Sequence, residues 1–119
     1  MIWIGNDIVS VKKIDNIIND YEKKFLTKIF SKTEIIYCNS KKEPSIHFSG
    51  KFSAKEALIK AIRHYDPVYK IFLKDIEILN DQYSRPFVNF NDEILNSLNV
   101  KISISHTNRY ASSFALIYK

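Results

Sequence analysis

In the stretch KFSAKEALIKA, Lys51 to Ala61, a glutamate and a lysine stand four residues apart. At about 100° per helical residue, Glu56 and Lys60 share one side of a helix. Phe52, Leu58, Ile59, Ala61 and Ile62 fill an apolar half, and Lys55 points into it. A glutamate one turn before a lysine is ordinarily a solvated pair contributing a few tenths of a kcal/mol. The neighbours argue for more. Ser53, Arg63 and His64 share the Glu56 face, and Lys51 and Lys55 lie close by. A carboxylate among cations suits a divalent metal that shares a polyphosphate with lysines.

Two further positions extend this chemistry. Asp7 is read as standing directly after a strand and before a helix, a place for either a helix cap or a metal-binding carboxylate. His106 ends KISISH, with Ser103 and Ser105 before it and Thr107 after it. Such donors at a strand end suit phosphate oxygens. His47 and His64 have weaker claims, and no cysteine–histidine spacing suggests zinc.

The elements that must position these residues read as α+β. MIWIGNDIV is expected as a strand, and Val11, Ile14, Ile17 and Ile18 give a helix capped by Ser10. SKTE, Ser31 to Glu34, is a capping box. Pro44 opens a long helix to about Tyr65. KDIEIL and RPFVNF are strands around the turn NDQYS, and NDEILNSL is a short helix capped by Asn91 or Asp92. VKISISH alternates, with Val100, Ile102 and Ile104 on one face, and TNR turns it into the strand YASSFALIY. Helices thus concentrate in the first half and pack on an antiparallel sheet from the second, in a single domain over 1–119.

The totals bound the class. The 119 residues carry a net charge of +5, which favours anionic partners. Cys38 is the one cysteine, so no disulfide forms within the chain and a reducing compartment is expected. No apolar run approaches a membrane span, and MIWIGNDIVSV lacks the features of a signal peptide, so a cytoplasmic protein is expected. The two glycines, Gly5 and Gly50, exclude glycine-rich phosphate loops. Lys12, Lys13, Lys23, Lys24 and Lys28 make the early helical region basic, suited to an acidic partner. The aromatic residues form no stacking motif for nucleic acid.

GNDIVSVKKI, GKFSAKEALIKA and SISHT, in that order, resemble the holo-acyl-carrier-protein synthases, the small bacterial 4′-phosphopantetheinyl transferases. RPF, Arg85 to Phe87, resembles the family's K-P-Y/F segment. The resemblance implies transfer of the phosphopantetheine arm of coenzyme A to a serine of apo acyl carrier protein, with Mg²⁺ required, in support of fatty acid biosynthesis. It implies that Asp7 and Glu56 hold the metal and that Lys60 lies against the pyrophosphate. It places Lys51, Lys55, Arg85, Pro86, Ser105, His106 and Thr107 around the coenzyme and its phosphates. Lys12 and Lys13 would meet the acidic carrier, and active sites would lie between the subunits of a homotrimer. Membrane and nucleic acid are not expected partners.

The resemblance leaves the proton acceptor open among metal-bound water, Glu56 and Lys60. This sequence departs from the family at three places: Lys51 and Lys13 stand where arginine is usual, and IRHYDPVY replaces a glycine-rich turn. An alternative reading is a non-catalytic basic adaptor for an acidic protein or nucleic acid. It accounts for the charge but not for Asp7, Glu56 and Lys60 together.

Overall fold

A computed structural model describes residues 1–21 and 23–119, and for Lys23 the backbone only. The side chain of Lys23, one of the basic run, therefore lies outside the described residues. Strand β1 (Ile2–Ser10) leads into helices α1 (Val11–Tyr21), α2 (Lys23–Ile29) and α3 (Lys32–Asn39). The long helix α4 (Pro44–Tyr65) follows, then β2 (Ile76–Asn80), β3 (Pro86–Phe90), α5 (Glu93–Asn96), β4 (Asn99–His106) and β5 (Tyr110–Tyr118).

Local signals set most of these boundaries. The Ser10 hydroxyl accepts the Lys13 N–H at 3.2 Å, capping α1. Ser31 and Glu34 form the reciprocal capping box of α3. Pro44 sits in the first turn of α4, where its missing N–H costs nothing. Asp92, rather than Asn91, caps α5 by accepting from Ile94 N–H. Lys74 and Asp75 belong to a short 3₁₀ turn (Leu73–Asp75), because the Asp75 carboxylate accepts the Phe72 N–H at 2.9 Å and closes the chain on itself.

The expected α+β architecture is present, with two corrections to its layout. First, the strands form two sheets: β1-β5-β4 and the hairpin β2-β3, all antiparallel. The strand from the first half is therefore an edge of the main sheet, not a separate element. Second, Asp7 does not follow the strand. It lies within β1, opposite Ser113 of β5. Pairing continues to Ser10 because β5 is long enough to match all of β1.

One face of the main sheet packs on α4. Ala111, Ser113, Ala115 and Ile117 of β5 are buried there. These mostly small side chains let the helix approach closely. Gly5 marks the tightest point, where a Cβ would stand 2.1 Å from the Ala57 carbonyl oxygen and 2.7 Å from the Ala61 nitrogen. The opposite sheet face leaves Ile2, Ile4, Ile8, Tyr110 and Phe114 exposed. The main core joins Leu58, Ile62, Ile76, Ile78, Leu95 and Ile117. A second cluster, Ile14, Phe30, Cys38 and Phe48, binds the N-terminal helices to α4. So α4 is covered on nearly every side, and no simple apolar half describes it. Among the described residues, no helix is long and apolar enough to cross a membrane.

Candidate active site

The close packing of β1 on α4 at Gly5 fixes what comes two residues later. Asp7 points to the same inner face and meets α4. Lys60 Nζ lies 3.1 Å from Asp7 Oδ1 and donates to the Asn6 carbonyl at 2.9 Å. Ser53 Oγ donates to the Asp7 carbonyl at 3.2 Å. The alignment of Lys60 with Glu56 on the wheel is real, but the ammonium turns to Asp7 instead, because β1 brings a second carboxylate within reach.

Asp7 Oδ2 is buried and has no hydrogen-bond partner among the described residues. Such an oxygen is costly unless something electropositive meets it. Half-buried Glu56 flanks the same place. Burial raises its carboxyl pKa, and the charge of Asp7 raises it further, while Lys60 and Arg63 act oppositely. Two carboxylates of which one oxygen is orphaned suit a hard cation that keeps water and phosphate oxygens in its shell, as Mg²⁺ does. No cluster of three or more His, Cys, Asp or Glu side chains occurs among the described residues, so an all-protein cage is not available there.

The second chemical region lies elsewhere on the chain. A groove of about 290 Å³ runs between α3, the first half of α4, the β2–β3 hairpin and β4. Lys51, Pro86 and His106 line it, as do Tyr37, His47, Asn80 and Ser103. Lys51 is buried, and burial lowers its pKa. Its Nζ donates to the Ile78 carbonyl at 2.6 Å and to Asn80 Oδ1 at 2.9 Å, 4.5 Å from the centre of the Tyr37 ring. Asp7, Glu56 and Lys60 are not among the groove-lining residues.

Other expected ligand contacts are placed differently. Lys55 is fully buried, and its ammonium pairs with Glu34 Oε1 at 2.8 Å. It also donates to the Ile29 carbonyl at 2.5 Å and lies over the Phe30 ring. Its stem does follow apolar surface, but its head reaches an internal carboxylate and not a ligand surface. Thr107 serves its own turn, accepting from Arg109 and Tyr110 N–H. Arg85 is tied to Asp81 by a 2.8 Å ion pair and stacks on Tyr83. In this chain Ser103, not Ser105, lines the groove. Lys12 and Lys13 are exposed near the start of α1, as a docking surface requires.

Glu34 was legible only as half of a capping box. Its carboxylate also accepts the Ile78 N–H at 2.9 Å, so Glu34 and Lys51 hold the two peptide groups of one β2 residue. Capping explains a surface glutamate. Nothing local signals that Lys55 will meet it across a sequence gap of 21 residues.

Comparison with known proteins identifies the family of the chain. Residues 4–115 match the 4′-phosphopantetheinyl transferase superfamily. The holo-[acyl-carrier-protein] synthase of Protochlamydia amoebophila is 40% identical over 116 residues, 95% of this chain and 94% of that one. The synthase of Chlorobium limicola is 39% identical over 96% of this chain and 91% of its own. The crystal structure of the Helicobacter pylori synthase in complex with coenzyme A superposes with a TM-score of 0.81 at 29% identity, covering 97% of this chain and 99% of that one. A match that takes in α4, β4 and most of β1 and β5 leaves no part of the candidate site outside it: the chain belongs to the 4′-phosphopantetheinyl transferase superfamily.

Proposed function

We propose that this protein transfers the 4′-phosphopantetheine group of coenzyme A to a serine of apo acyl carrier protein. The observation that carries the reading is the buried, unpartnered Asp7 Oδ2 beside Glu56 and Lys60. An adaptor that only binds gains nothing from an unpaired internal carboxylate oxygen. The names of the relatives support the same activity.

Asp7 and Glu56 would hold Mg²⁺, which when bound neutralises charge on a diphosphate and orients it. Lys60 adds a positive charge against the bridging oxygens, and its bond to the Asn6 carbonyl keeps it aimed. Phosphoryl transfer needs alignment and charge neutralisation more than a protein nucleophile. The carrier supplies the hydroxyl. Lys51, Pro86 and His106 would hold the nucleotide end in the groove, where Lys51 offers a positive charge pre-oriented by Ile78 and Asn80.

The same proposal includes assembly. Within one chain the groove lining does not include Asp7, Glu56 or Lys60, and a second copy would complete the site by bringing its groove to these carboxylates. The exposed apolar side chains Ile4, Ile8, Tyr110 and Phe114 give such a copy a surface to cover. A homotrimer with sites between subunits fits both features. Action in the cytoplasm, where coenzyme A and carrier meet, is part of the reading, and the single buried thiol of Cys38 accords with it.

The test is direct. Incubation with coenzyme A, Mg²⁺ and apo acyl carrier protein should raise the carrier's mass by one phosphopantetheine. An unmodified carrier, with folded enzyme and saturating metal, removes the proposal.

A further inference from the structure

His47 is a residue for which the proposed reaction has no role. It stands on α4 one turn before Lys51 and lines the same groove as His106. The two imidazole rings are 6.0 Å apart, centre to centre, at 63°. The Tyr37 ring backs His47 edge-on at 6.2 Å. Neither imidazole hydrogen-bonds to protein among the described residues, and the groove lining contains no carboxylate. Imidazole N–H groups converging on a cavity with a lysine and no acid are donors without an acceptor.

We infer that His47 joins His106 in a two-imidazole clamp that closes on a phosphate of the nucleotide end of coenzyme A. The inference rests on the proposed use of the groove. Proton linkage follows from the surroundings. The groups facing His47 are the Tyr37 phenol from α3, Lys41 and Glu43 from the loop before α4, Lys51 from α4 and His106 from β4. Burial is the strongest influence and lowers its pKa, then His106, Lys41 and Lys51 lower it, while Glu43 opposes. The free groove therefore keeps His47 neutral near pH 7. A phosphate dianion reverses that balance, so His47 takes up a proton as the ligand binds, and affinity strengthens as pH falls. The ligand's own phosphate titrates near pH 6 in the opposite sense, and it does so equally with every variant.

The experiment follows the three histidines by proton NMR, with and without saturating adenosine 3′,5′-bisphosphate, using His→Gln variants for assignment. The titration midpoint of His47 is expected to rise on saturation. His47→Gln should weaken binding about tenfold at pH 6 and less than about twofold at pH 8, as for loss of one charge-assisted hydrogen bond. Lys51→Met separates the two levels of the reading. If it weakens binding while His47 neither shifts nor matters at either pH, the groove stands and the clamp is wrong. If binding also survives Lys51→Met unchanged, the nucleotide does not use this groove and both ideas fall.

Discussion

Glu34 and Lys55 form an ion pair of 2.8 Å inside the protein, with neither side chain reaching solvent. The pair fastens α3 to α4, and through the Ile78 N–H it fastens both to β2. Removing one member leaves the other charged and uncompensated. Lys55→Met is expected to cost about 3–5 kcal/mol, read from urea unfolding. The double variant Glu34→Leu, Lys55→Met should be less destabilised than Lys55→Met alone. A single substitution costing under about 1 kcal/mol would show that the pair holds nothing together.

Gly5 sets the distance between β1 and α4. Gly5→Ala places a methyl group into the Ala57 carbonyl and the Ala61 nitrogen, so β1 must shift. Overpacking of this kind costs about 1–3 kcal/mol. Asp7 moves with the strand, and a displacement of about 1 Å at a reacting centre lowers kcat/KM by about 10²-fold. Full activity in a stably folded Gly5→Ala protein would mean that Asp7 is not where its position matters.

Glu56→Gln separates charge from shape. With EDTA present, the raised carboxyl pKa means that the stability Glu56 contributes is complete below about pH 4.5 and is lost as pH rises through the folded value. Glutamine escapes that loss. The variant should therefore have the higher Tm at pH 7, the difference vanishing below pH 4.5. Adding Mg²⁺ should raise the Tm of the wild type and not of the variant, and the Mg²⁺ needed for half-maximal activity should increase at least about tenfold. Identical metal curves for the two proteins would take Glu56 out of the metal shell.

Lys13 is exposed at the start of α1. Lys13→Glu should raise KM for the acidic carrier by roughly five- to tenfold at low salt, with KM for coenzyme A little changed and the effect shrinking as salt increases. Equal effects on both substrates would place the carrier surface elsewhere.

Much of this was readable before any coordinates. The Ser31 capping box, Pro44 at the head of α4, the alternation of β4 and its turn into β5 are local signals, and each forms where its residues indicate. The charge-rich helix face points to Glu56 and Lys60, whereas Asp7 joins them in the sequence only through the family resemblance, because the β1–α4 packing that brings it there is not a local signal. What escaped was set by distance in space. Lys55 has a glutamate partner only because α3 folds back on α4. Ser103 rather than Ser105 reaches the groove because the hairpin β2–β3 approaches one stretch of β4, which alternation cannot locate. His47 reads in the sequence as a lone histidine in a helix, and only the fold brings His106 of β4 alongside it.

The grip on Ile78 has a consequence for solubility. Strand β2 pairs with β3 along one border, and on its other border Glu34 and Lys51 occupy the N–H and the C=O of Ile78. An open strand border is a template on which foreign chains add and aggregates grow. Here two helix side chains imitate the missing neighbour, so the little hairpin sheet stays at two strands without a third to shield it.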